Sequence, residues 1–135
     1  MIAKLLKKPF TAQSASSVCA PADARELVAF WQDGGKELWF GKNVDLDRRL
    51  AARFLPWHEM AARGELAEWA ATATGALALT LLLDQFPRNS FRGTARMYDT
   101  DAMARKVAAA ALAQGHDRAV PGDLRLFFYL PFAHS

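Results

Sequence analysis

The sequence predicts an all-α domain of about five principal helices, and three observations carry that expectation. Apolar residues recur at helical spacing along most of the chain, strand-like alternation is nearly absent, and proline, glycine and capping residues fall at helix-length intervals. Pro21 opens a first helix, with Asp23 and Glu26 near its positive end and Leu27, Val28, Phe30 and Trp31 as its apolar stripe. The "DGG" at 33–35 is expected to stop it. "ELWF" at 37–40 then reads as a short turn that anchors Trp39 and Phe40 on the core.

Asn43 is the expected N-cap of a long second helix reaching Arg63, with Val44, Leu46, Leu50, Phe54, Trp57 and Ala61 spaced for burial. Pro56 should bend or interrupt it, because proline removes a backbone donor and crowds the preceding turn. Gly64 is the expected residue just past its end. After a short turn at "ELAEW", Thr74 is expected to cap the apolar segment 75–85, and Pro87 to end that helix near Gln85. Asp99 or Thr100 should cap an alanine-rich helix closed by Gly115. Pro121 should open a last helix that stops before Pro131, with Phe127, Phe128 and Phe132 in the core. No internal repeat of fixed period is visible.

A chain of 135 residues is one domain by size, and 52% hydrophobic with 23% charged residues is a globular composition, too apolar for disorder. Residues 1–21 read as a disordered, basic and Ser-rich tail, and 22–135 as the all-α domain. The first 22 residues hold Lys4, Lys7 and Lys8 but no acid, loosely the composition of an organellar import segment, which is the alternative to a plain tail. The single Cys19 excludes an internal disulfide framework and fits a reducing, cytoplasmic setting. The net charge of +3 is modest and dispersed, so no nucleic-acid partner is expected. The longest apolar run, "GALALTLLL" at 75–83, is too short to cross a membrane, so no membrane association is expected.

The chemistry concentrates in "LLLDQFPRNSFRGTAR", residues 81–96, where an apolar segment runs directly into Asp84 and Gln85. A carboxylate at a helix C-terminus opposes the free carbonyls at a cost of roughly 0.3–1 kcal/mol. Buried, it would also require a partner. Arg88 and Arg92 are near enough to serve, with Gln85 and Asn89 completing the hydrogen bonds. Such a joint is either a satisfied structural network or a site where guanidinium donors take a carboxylate or phosphate. Arg88, Arg92 and Arg96 would line one face of a continuous helix, which Pro87 and Gly93 argue against.

The chain ends in "RLFFYLPFAHS", where Arg125 and Tyr129 share a helix face. His134 and Ser135 are adjacent, so spacing alone does not make them a base and nucleophile, and no nucleophile elbow or oxyanion glycines accompany them. His58-Glu59 lacks the second histidine of a metalloprotease motif, and His116, after a helix-ending glycine, is expected at the surface. No metal and no cofactor are expected.

The segment "LALTLLLDQFPRNSFRGTARMYDTDAMARKVAAAALAQGHD" and the closing "RLFFYLPFAHS" resemble the bacterial family called domain of unknown function 924 (DUF924). "LVAFW", "WFGKNVDLDRRLAARF" and "AARGELAEWAATATGALAL" agree, so the resemblance covers about residues 25–135. It implies a TPR-like right-handed superhelix of antiparallel helix pairs, and it implies no activity. The matching signature positions are Asp84, Gln85, Phe86, Pro87, Arg88, Asn89, Arg92, Arg125, Tyr129, Pro131, Phe132, His134 and Ser135. Similar chains continue past the final HS with a glutamate and further helices. If the chain truly ends at Ser135, the resemblance implies that a last helix pair is missing, exposing an apolar patch that includes Trp57, Phe127, Phe128 and Phe132 and drives self-association.

Two functional readings follow from these residues. In the first, a binding module takes an anionic small molecule or a peptide carboxylate on Asp84, Gln85, Arg88, Asn89, Arg92, Arg125, Tyr129, His134 and Ser135. In the second, an enzyme of hydrolase type uses His134 as acid or base with Asp84 and Arg88. Binding is favoured because the nucleophile and metal signals fail; a purely structural polar network is the third possibility.

Overall fold

A computed structural model describes residues 19–134; the expected tail lies almost entirely outside the described residues, and so does Ser135. All regular structure among the described residues is helical. Helix α1 spans Ala22–Trp39, α2 Val44–Ala62, α3 Ala73–Thr80, α4 Phe86–Ser90, α5 Asp101–Ala113 and α6 Leu126–Ala133. A π-helical turn, Leu81–Gln85, joins α3 to α4 into one rod, so the described residues form five principal helices in an all-α fold. No helix among them is long and apolar enough to cross a membrane.

The rod is the centre of the molecule because its sequence is apolar on every side. All residues from Gly75 to Pro87 are buried, and α1, α2, α5 and α6 pack around them. Capping at the ends of α2 and α3 follows local chemistry. Asn43 accepts from the Leu46 amide at 3.0 Å, and Gly64 closes α2 in the left-handed conformation, both as expected. At α3 the cap is Thr72, whose hydroxyl accepts from the Gly75 amide at 3.0 Å, rather than Thr74.

Several expected breaks are absent, each for a physical reason. The "DGG" segment kinks α1 without ending it. Gly35 takes φ +57°, a region where glycine has no steric cost, and the helix resumes to Trp39. The resumed turn is held by the buried Leu38 and by Trp39 Nε1, which donates to the Trp31 carbonyl at 2.7 Å. Phe40, expected on the core, is instead exposed, as is Val44 at the start of α2. Pro56 lies inside α2 on its solvent side, where the carbonyl it leaves unpaired, that of Ala52, is open to water. Pro131, by contrast buried, also sits within α6, which continues to Ala133.

The expected end at Gln85 also fails, and the π turn is the reason. Proline at 87 withholds the amide that the Leu83 carbonyl would accept in an α-helix, or the Leu82 carbonyl in a π turn. The turn widens so that the Phe86 amide reaches back to the Leu81 carbonyl. Two side chains then supply the missing donors. His58 Nδ1 donates to Leu82 O at 2.8 Å, and Thr100 Oγ1 to Leu83 O at 2.6 Å. Thr100 thus occupies the N-cap position of α5 but spends its hydroxyl on the rod, not on its own helix.

The apolar patch expected at Phe127 and Phe128 does not form, because both rings are fully buried. Phe127 packs edge-on against Trp31 and Trp39, with centroids 5.3 and 5.2 Å away. Trp57 is half-buried beside Trp69, and of the four only Phe132 is exposed, at 42%, rather than in the core as expected.

Thr100→Val should cost about 1–3 kcal/mol in urea denaturation, the penalty of a buried carbonyl left unpaired, while Thr100→Ser should recover most of it. Equal losses in both variants would show that the hydroxyl does not serve Leu83.

Candidate functional site

Because the rod continues past Pro87, Asp84 does not sit at a helix C-terminus. It lies in the π turn, fully buried, where the widened backbone presents its carboxylate to three donors. Gln85 Nε2 donates to Oδ2 at 2.9 Å. His134 Nδ1, from the end of α6, meets Oδ1 at 2.9 Å, and Arg88 Nη1 reaches the same oxygen at 3.3 Å. An ionised carboxylate only accepts, so Nδ1 is the protonated ring nitrogen in this contact.

Arg88 is shared between two buried acids. Its Nη1 also donates to the Asp84 carbonyl at 2.8 Å, and its fork grips Asp101 with bonds of 2.8 and 2.9 Å. The bidentate geometry gives direction as well as energy. Burial works against the Arg88 charge, but the Asp101 hydrogen bond and the two carboxylates outweigh it and raise its pKa. Tyr98 covers the outer face of the guanidinium, with its ring centroid 5.5 Å away.

The remaining candidates divide. Asn89 is buried and ties α4 to the first half of the chain, donating to Leu38 O at 3.0 Å and to Asp47 at 2.8 Å. Arg92 pairs with Asp47 at 3.2 Å, not with Asp84. Arg96 stacks over Phe91 at 3.9 Å, so the three arginines spaced by four face different partners. Arg125 and Tyr129 lie apart from this group; both are exposed, and the Tyr129 hydroxyl donates to Asp117 at 2.8 Å. His116 is half-buried rather than at the surface, its Nε2 enclosed without a partner.

Beside the network is a hollow of about 350 Å³, lined by Gln85, Arg88, Asn89, Arg92 and His134 together with aromatic and apolar groups. Trp39 and Leu130 form part of its wall, and the exposed Phe40 and Tyr98 stand at its margin. Lys42 also lines it and makes no ion pair among the described residues. A larger hollow of about 550 Å³ between α1 and α2 holds none of the expected site residues. Its floor is Phe30 and Phe54, and its Arg53 is paired with Glu26.

Sequence reasoning missed Asp101, Asp47, Lys42 and Trp39. Asp101 had a signal in principle: an acid in the first turn after a segment richer in arginine than in carboxylate. The other three are brought together only by folding.

His58 is the other buried ionisable group of the region, stacked on Phe86 with centroids 5.0 Å apart. Desolvation by burial, aided by the nearby Arg96 charge, lowers its pKa despite the bond to Leu82.

The chain matches, over residues 27–135, the family described as "Bacterial protein of unknown function (DUF924)", and it belongs to that family. Its fold is similar to the solved structure of a protein of unknown function from Agrobacterium tumefaciens, ATU0120, at 53% identity and a TM-score of 0.82. That likeness covers 84% of this chain and 65% of the Agrobacterium one, so this chain spans less than two thirds of its relative's length. No curated protein matches the chain.

A folded-state histidine with a lowered pKa contributes stability that is present above the unfolded value, about 6.5, and lost as pH falls. Between pH 7 and 5 the wild type should therefore lose more stability than His58→Gln, which keeps a donor for Leu82 but does not titrate. Parallel stability–pH curves for the two proteins would remove His58 as the cause.

Proposed function

We propose that the hollow beside Arg88 binds a small anionic ligand through a carboxylate. One observation carries this reading: Lys42, without a counter-ion among the described residues, lines the same enclosure as a guanidinium already fixed in place by Asp84 and Asp101. Preorganised donors lose little freedom on binding, and the aromatic wall excludes water from part of the contact. Asp84 and Asp101 are committed to Arg88, so they orient it rather than meet the ligand. A peptide C-terminus offers the same carboxylate as a small acid. Arg125 and Tyr129 do not line the hollow and have no part in this reading.

A second reading has its own observation. Asp84 holds His134 through Nδ1, which leaves Nε2 without a partner among the described residues, on a side chain that lines the hollow. A buried carboxylate orienting an imidazole in this way prepares the other nitrogen to accept a proton. The hollow would then be an acid–base site acting on the bound anion.

In thermal denaturation, acetate or benzoate at ten times its Kd should stabilise the wild type by roughly 1.4 kcal/mol, a rise in Tm of about 5 °C. Lys42→Ala, an exposed position, should fold normally and lose most of that rise; an equal rise in both proteins would overturn the assignment. For the acid–base reading, hydrolysis of carboxylate-bearing esters should disappear in His134→Gln while acetate binding persists. Equal rates in the two proteins would end that reading.

A further inference from the structure

We infer that the cleft has a second anion subsite across Asn89 and Arg92, and that its ligand is an elongated dicarboxylate with one acidic end in each hollow. This rests on the anion-binding reading of the first hollow. A second hollow, of about 290 Å³, lies between the first turns of α2 and the end of α4. Asn89 and Arg92 line both hollows, so these two side chains form the partition between them.

The polar groups of the second hollow are unevenly matched. Asp47 is occupied, accepting from Asn89 at 2.8 Å and from Arg92 at 3.2 Å. Arg48 makes no ion pair among the described residues. The Ser90 hydroxyl oxygen is shut off from solvent and has no hydrogen-bond partner. A buried hydroxyl without a partner is costly to the fold. Arg48 offers an N–H fork that matches the two oxygens of one carboxylate, and Ser90 is part of the same lining. Val44 and Ala51 supply apolar wall for a methylene chain.

Each hollow thus has one unmatched cation, Lys42 in the first and Arg48 in the second, with Arg92 between them. A monocarboxylate satisfies one hollow alone. A diacid of matching length makes its second contact intramolecularly, and its affinity rises without any new protein group.

The test is titration calorimetry on the full chain with acetate and the series succinate, adipate and suberate. At least one diacid should bind the wild type about tenfold or more tightly than acetate. Arg48→Ala should reduce that diacid to the affinity of acetate while leaving unchanged the acetate binding that Lys42→Ala removes. Diacids no tighter than acetate at any length, or a diacid advantage that survives Arg48→Ala, would overturn the second subsite while leaving the first intact. Absence of acetate binding in the wild type would instead overturn the first reading, and this inference with it. Circular dichroism on each variant identifies any that fails to fold, and Arg48→Gln then replaces Arg48→Ala.

Discussion

Proline at position 87, in the middle of the most deeply buried helical rod, withholds an amide where water cannot substitute for it. A buried carbonyl without a donor is costly, so the chain has to find one elsewhere. It does so by widening the helix into a π turn and recruiting His58 from α2 and Thr100 from the start of α5. These two bonds fix how both helices meet the rod. Without the proline the rod could run as a regular α-helix, with these carbonyls paired inside it and no need of a side-chain donor.

The same turn makes the polar site. Widening the backbone at 81–85 places Asp84 where Arg88 reaches both its carboxylate and its carbonyl. Asp101 stands one residue beyond Thr100, so the bond that satisfies Leu83 also brings that acid to the Arg88 fork. His134 then meets Asp84 from the last turn of α6. Structural satisfaction and candidate chemistry are therefore built from the same contacts. Loss of one partner would leave an uncompensated buried charge.

Much of this was legible from residue types. The burial of an acid at the tip of "LLLD" required a cation, and Arg88 was the nearest able to supply one. The closing histidine does come to the same carboxylate. Arg125 and Tyr129 have the right chemistry but lie apart from the hollow, because a shared helix face says nothing about which way that face turns. Phe127 and Phe128 were expected in the core, yet also in an exposed patch; the two tryptophans of α1 decide between these by covering Phe127.

Periodicity and capping chemistry act over a few residues, and within that range the linear chain was decisive. It determined the helical class, the number of principal helices, the Asn43 cap and the demand for a partner at Asp84. What it could not determine was the fate of Gly35, Pro87 and Pro131, since whether a lost backbone bond ends a helix depends on which distant group replaces it. The tertiary structure alone decided that Asp101 and Asp47 would claim two of the arginines, leaving Lys42 and Arg48 as the unmatched cations of the two hollows. Charge pairing is a matter of distances across the fold, and those exist only once the helices have packed.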